Sequence, residues 1–240
     1  MFALAAEAKA GVESPELQAI LVSHWDQKMQ NNPVWGGTMG DHRFDDKLAD
    51  SSEKALMERR ASTKQLLQEA KALDASAFSS SDAVTHALFV EELERSVERE
   101  ICQGYQWSVS ARGNPVSSVN GLPDDHKVTD LASAKNLLAR YQQIPKQIDE
   151  SIANLRAGLA AGRVANAESI RRTIQLVQGQ IESPLADWPL MKPVKEIRAL
   201  SEAEEAEREQ VATALTTLVE GEVMLAFKRF HQVLERELLP

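Results

Sequence analysis

The stretch Ser201–Pro240 reads SEAEEAEREQVATALTTLVEGEVMLAFKRFHQVLERELLP. Val211, Leu215, Leu218, Val219, Val223, Ala226, Phe230, Val233 and Leu234 recur at three- and four-residue steps, the spacing of one helical face. Ser201 has the chemistry of an N-cap. Glu202, Glu204 and Glu205 suit a first turn, where carboxylates meet the positive end of the helix dipole. The spacing predicts a helix over 201–239, about 50 Å long at 1.5 Å per residue. A helix of that length exceeds the usual globular range, so one side of it is expected to face something beyond this chain.

The rest of the sequence is punctuated the same way. Ser14-Pro15-Glu16 is an N-cap, a proline tolerated at the first helical position and a first-turn acid. Leu17, Ile20, Leu21, Trp25 and Met29 follow on one face, and Asn31-Asn32-Pro33 stops the helix. A second helix is expected over 52–73, with Ala55, Leu56, Leu66, Leu67, Ala70 and Leu73 inward. A third begins at Ser79-Ser80-Ser81-Asp82, with Val84, Leu88, Leu93, Val97 and Ile101 inward and Gly104 as its stop. Helices resume at Thr129-Asp130 (Leu131, Leu137, Leu138, Tyr141), restart at Pro145 (Ile148, Ile152, Leu155, Leu159) and again over 167–180 (Ile170, Ile174, Val177). Residues 183–193 carry three prolines and Trp188, a loop with an anchored middle. Two stretches break the rhythm, 33–50 and 104–128. Each is read as a long loop, the second functional or mobile because compact helical domains rarely carry such connectors. No strand-like alternation is visible. The fold class is therefore all-α: a multi-helix bundle with one long C-terminal helix and two long loops. Residues 1–13 are expected to be a flexible segment and 14–240 a single helical domain.

Composition bounds the function. The chain has 240 residues, 43% of them hydrophobic and 26% charged, an ordinary globular balance with enough length for a sizeable core. A net charge of −9 repels phosphate backbones and argues against a nucleic-acid partner. No apolar run approaches the roughly 20 residues of a membrane span. The lone Cys102 allows no intrachain disulfide, and its helical setting beside Ile101 reads as a small buried hydrophobe. Ala8-Lys9-Ala10 fits a signal-peptide cleavage site without its basic front; a frayed N-terminus fits equally.

The chain offers few candidates for chemistry. His24, His42, His86, His126 and His231 form no His-Glu-x-x-His pair, and no two share a helical turn. There is no phosphate-binding glycine loop and no Gly-x-Ser-x-Gly elbow. Thus no catalytic residue and no metal ligand is assigned. The densest polar cluster is Gly40-Asp41-His42-Arg43-Phe44-Asp45-Asp46. Arg43 is able to pair with Asp41 or Asp45 and lock the loop, the structural reading. Alternatively Asp41, His42, Arg43 and Asp45 bind substrate, with Arg43 taking a peptide carboxylate. Asp124-Asp125-His126 is a second cluster, but three adjacent residues point different ways.

Asn32-Pro33, the run Gly40–Asp46 and Leu48 resemble the opening of the bacterial family catalogued as domain of unknown function 885. The pattern Ile144-Pro145-x-x-Ile148-Asp149-x-x-Ile152-x-x-Leu155-Arg156-x-Gly158 resembles its middle section, as does QGQIESP over 178–184. FKRFHQVLERELLP over 227–240 resembles the helix before its catalytic half. The resemblance implies a helical, often secreted or lipid-anchored protein, regarded as a zincin-like metallopeptidase whose His-Glu-x-x-Pro-Gly-His motif lies in a second half. That motif is absent here, so neither zinc ligands nor a catalytic Glu transfer to any residue. The resemblance then implies a non-catalytic helical half forming a cleft wall. Zinc is expected only in a second half or partner, and none bound by this chain alone. A catalytic-half polypeptide, self-association through the 201–239 helix, and a peptide substrate are the expected partners. A free-standing protein-interaction module without enzyme activity is the alternative. The compartment is periplasmic or secreted by resemblance, cytoplasmic if the N-terminus is native.

Overall fold

A computed structural model describes residues 11–239. Among these residues it is all helices and turns, with no strand. In chain order the helices are α1 (Pro15–Asn31), α2 (Pro33–Thr38), α3 (Glu53–Ala72), α4 (Ser80–Arg99), α5 (Pro115–Asn120), α6 (Leu122–Asp125), α7 (Leu131–Tyr141), α8 (Ile144–Ala160), α9 (Ala167–Glu182), α10 (Lys192–Arg198), α11 (Glu205–Leu218) and α12 (Met224–Val233). The all-α expectation holds. Among the described residues no helix is long and apolar enough to cross a membrane. The span expected as one helical domain contains two compact units. One carries α1, α3 and α4; the other carries 32–53 and everything from Gly104 onward.

The first unit closes on a small cluster of Leu17, Ile20, Leu66, Ala70, Phe89 and Leu93. Its helix starts follow the local capping chemistry: the Ser14 hydroxyl accepts the Leu17 N–H at 3.3 Å, and Ser79 accepts that of Asp82 at 3.2 Å. The Asp82 carboxylate is buried and accepts the N–H groups of Glu13 and Ser14, at 3.1 and 2.8 Å, which satisfies its charge. Glu13 is thus held at the edge of this unit. The first ten residues of the segment expected to be flexible, and the Ala8–Ala10 triplet, lie outside the described residues.

The inward face of α4 differs from expectation. Phe89 and Leu93 are buried, whereas Val84, Leu88 and Ile101 are 60%, 61% and 82% exposed. Val84 and Leu88 each lie two residues, about 200° of turn, past Asp82 and His86, and so point away from the inward stripe of Asp82, His86, Phe89 and Leu93. His86 packs on that stripe, its Nε2 2.7 Å from the Ala70 carbonyl. The helix is released at Gln103, whose φ of 42° is left-handed, and not at Gly104. Cys102 is exposed, contrary to the buried reading. The helix has by then passed into a short 3-10 turn, Glu100–Cys102, beyond the packed stripe.

The second unit is built around a helical run from Glu205 to Leu238, in which π segments (Val219–Val223 and Leu234–Leu238) follow α11 and α12. The run starts at Glu205, not at Ser201: the chain must first reverse after α10, and residues 199–204 make that turn. Arg208 donates to the carbonyls of Arg198 and Leu200, at 2.9 and 2.7 Å, and fastens the reversal. The π turn at 219–223 has a sequence cause. Val211, Leu215, Val219, Val223 and Phe227 are all four apart, and each such step overshoots an α-helical face by about 40°. A π turn takes up the excess and keeps all five buried. Phe227 stacks on Trp188, the anchor of the proline loop, with ring centroids 5.4 Å apart. Leu225 is the one large apolar side chain of this run that is exposed among the described residues, so its apolar face is spent inside the unit.

The two expected long loops are each interrupted by short helices, and residues 45–52 stay non-helical. Asn32-Pro33 ends α1 and starts α2, and Asn114-Pro115 starts α5 with the Asn114 side chain accepting the Ser117 N–H at 3.0 Å. Val109, Val116, Val119 and Leu122 from the second stretch belong to the core. The 3-10 turn Gly104–Gln106 lies directly on α8. A Cβ at Gly158 would stand 2.0 Å from the Gln106 carbonyl oxygen, so only glycine permits this approach.

Candidate functional site

The Gly40–Asp46 cluster is held chiefly by its own members. Asp41 caps a 3-10 turn, His42–Phe44. Arg43 grips Asp41 through two parallel bonds, Nε to Oδ1 at 2.9 Å and Nη2 to Oδ2 at 2.6 Å. That pairing holds the Asp41 carboxyl below its ordinary pKa. Asp45 accepts from His42 Nδ1 at 2.8 Å and lies 3.5 Å from Arg140. Asp45 also needs the glycine opposite it: a Cβ on Gly37 would meet its Oδ1 at 2.8 Å. Asp41, His42, Arg43 and Asp45 are therefore brought together, with bonds directed among themselves and to Arg140.

Arg140, on α7, organises this region. Its side chain is 1% exposed. Nε donates to the Lys47 carbonyl at 2.9 Å and Nη2 to that of Phe44 at 3.0 Å. Nη1 lies 3.1 Å from His126 Nδ1. The His126 Nε2 sits 2.9 Å from the Ser133 carbonyl, which can only accept. This fixes the tautomer: Nε2 carries the proton and Nδ1 accepts from Arg140. Burial pulls the Arg140 guanidinium below its usual pKa, and Asp45 and Asp46 oppose that pull. Burial likewise pulls His126 down; the Ser133 carbonyl opposes it and the Arg140 charge adds to it. The sequence signal was an arginine in the apolar phase of α7, between Leu137 and Tyr141, which are both fully buried.

Below Arg140 the same face continues as a polar ladder. Gln143 donates to the Asp46 carbonyl at 2.6 Å and accepts the Leu48 N–H at 3.0 Å. Gln147 donates to the Ala49 carbonyl at 3.1 Å. Glu150 accepts the Ser51 N–H at 2.9 Å, and Asn154 donates to the Ser51 carbonyl at 2.8 Å. Steps of three and four residues along α7 and α8 thus satisfy the backbone of a non-helical segment much as a neighbouring strand would.

This bolted segment forms one side of a pocket of about 350 Å³. Pro33, Val34 and Trp35 from α2, Leu48, and Val119 and Leu122 from α5 and α6 give it apolar walls. Asn32, Thr38, Ser118, Asp125 and Gln147 supply its polar groups. None of Asp41, His42, Arg43 and Asp45 lines it. The Asp124–His126 cluster divides: Asp124 pairs with Lys192, Asp125 faces the pocket, and His126 is buried against Arg140.

The described residues do not fit a zinc ion. Among them no group of three His, Cys, Asp or Glu side chains is placed to hold a metal. His42, His86 and His126 each spend a ring nitrogen on Asp45, Ala70 or Ser133, and His24 is packed edge-on against Phe89.

An all-α unit with a bolted loop and an open apolar pocket defines a helical, pocket-bearing class of protein. Residues 33–240 match the model of the family described as bacterial protein of unknown function (DUF885), and the chain belongs to that family. No curated protein matches it. Among solved structures it is similar to a candidate lipoprotein from Colwellia psychrerythraea, at a TM-score of 0.80 and 11% identity, over 93% of this chain and 41% of that one. It is also similar to a candidate lipoprotein of unknown function from Shewanella oneidensis, at a TM-score of 0.59 and 18% identity, over 94% and 39%. These likenesses are of fold. The chain spans about two fifths of the length of either structure.

Proposed function

We propose that this chain acts as the non-catalytic helical portion of a metallopeptidase-like architecture. In this reading α2, the 44–51 segment, α5 and α6 form one wall of a peptide-binding cleft. Zinc and the residues that use it come from another stretch of polypeptide. The observation that carries the reading is the overlap with the Colwellia structure: nearly all of this chain against 41% of a much longer one. The family-like motifs support it as well, because Asn32-Pro33, Gly40–Asp46 and Leu48 all lie in or beside the wall. A hydrolase wall has to be rigid to hold substrate in register, and the Arg140–Asn154 ladder supplies that rigidity.

Native mass spectrometry of the protein drawn from its own cells tests the proposal. The expected result is a species larger than this chain, either a longer polypeptide or a complex, that carries stoichiometric zinc and cleaves peptides. A species of this chain alone, without zinc and without peptidase activity, overturns it.

A further inference from the structure

The pocket beside the bolted loop has one charged group and no built-in partner for it. Its walls are apolar, and Trp35, which lines it, is 39% exposed. Among the described residues that line it there is no lysine or arginine. Asp125 is the only acid among them, and its side chain has no hydrogen-bond or ion-pair partner among the described residues. The neighbouring cations are already committed. Lys192 is held by Asp124, and Arg140, which acts on Asp125 only through space, spends its donors on carbonyls, His126 and Asp45.

We infer that this pocket binds an aliphatic ammonium of the kind a lysine side chain presents, its methylene stem against Trp35, Leu48 and Leu122 and its charge at Asp125. The fit is chemical at both ends. A long aliphatic stem buries well on apolar walls while its head stays at the polar rim. An ammonium gains from a carboxylate and from the face of an indole, and each gains more once the ligand displaces water. The volume lies at the low end of the roughly 300–1,000 Å³ of small-ligand sites, enough for one side chain and not for a folded element. The wall is preformed, because Gln147 at its edge is tied to the Ala49 carbonyl, so little ordering opposes binding. The inference deepens the cleft reading by assigning the wall a class of peptide residue. It is tested by binding to the isolated chain, so its failure is separate from failure of the zinc-partner reading.

The probes are N-acetyl-lysine N-methylamide and its neutral isostere, N-acetyl-norleucine N-methylamide. The readout is the indole N–H resonance of Trp35, assigned by its loss in Trp35→Phe. The lysine probe is expected to shift that resonance saturably and to bind about tenfold more tightly than the norleucine probe, the effect of one charge-assisted bond. In Asp125→Asn the lysine probe is expected to fall to the affinity of the norleucine probe, whose own binding does not change. Asp125 is exposed, so this substitution leaves the core untouched. Equal affinities for the two probes in the parent protein, a lysine preference that survives Asp125→Asn, or no movement of the Trp35 resonance with either probe would each overturn the inference.

Discussion

Arg140 and His126 share a buried hydrogen bond, Nη1 to Nδ1 at 3.1 Å, between a permanent cation and an imidazole that must stay neutral to accept it. Protonating His126 would set two positive charges against each other away from water. Its folded pKa is accordingly held below the ordinary 6.5 by burial first and by Arg140 as well. Below pH 6.5 the unfolded chain therefore binds a proton that the folded chain refuses. Stability is full above that value and falls as the pH drops through the window down to the depressed folded pKa. Denaturant unfolding of the second unit at pH 7.5, 6.5 and 5.5 is expected to show this loss, and His126→Gln to flatten it. His24, also held down by burial, gives the first unit a slope of its own that His126→Gln leaves in place.

Removing the cation is the more severe change. Arg140→Met leaves the Phe44 and Lys47 carbonyls and His126 Nδ1 without their donor inside the protein. Arg140 is also the buried partner of Asp45, and removing one member of a buried ion pair costs about 3–5 kcal/mol, the loss expected from urea melts. Arg140→Lys is not expected to recover it. A single ammonium cannot reproduce the planar fork that reaches two carbonyls, an imidazole and Asp45 together.

The contrast between these residues and the ones that stood out in the sequence is instructive. Caps were legible because they are local: Ser14, Ser79 and Asp130 each bond a backbone N–H three residues on. The Gly40–Asp46 cluster was legible for the same reason, since Asp41 and Arg43 are two residues apart. The Arg140 bonds were not legible, because their partners lie 93 and 96 residues away in sequence and are backbone carbonyls, which any residue supplies. The pocket was hidden likewise, its walls coming from α2, the bolted segment and α5–α6. Ser201 misled for a different reason. Its acids fit a first turn, but the reversal out of α10 uses those residues before Glu205 begins the run.

Gly158 and Gly179 form a matched pair on adjacent helices. An Ala side chain at Gly158 runs into the Gln106 backbone, which sits in a short 3-10 turn with nowhere to retreat. Gly158→Ala is expected to lower stability by about 1–3 kcal/mol, the usual range for overpacking. Gly179 is exposed within α9 and has nothing within 4 Å of its notional Cβ. Gly179→Ala is expected to raise stability by about 0.5–1 kcal/mol through helix propensity. Calorimetric melting of both variants checks the opposite signs.

The Asp41–Arg43 pair separates the structural role of its loop from a binding role. The Arg43 side chain is 43% exposed, and a surface ion pair contributes about 0–1 kcal/mol. Asp41 does more, since its carboxylate also accepts the Arg43 backbone N–H and caps the 3-10 turn. Asp41→Ala is therefore expected to cost about 0.5–2 kcal/mol, the range for a lost cap, and Arg43→Ala less. With both carboxylate oxygens of Asp41 occupied, an acidic peptide has to compete for Arg43 with a partner already in place. Titration of the protein with a free peptide carboxylate is expected to leave the Arg43 Nε–H resonance unmoved. A saturable shift there, lost in Arg43→Ala, would give the loop a recognition role beyond holding its own fold.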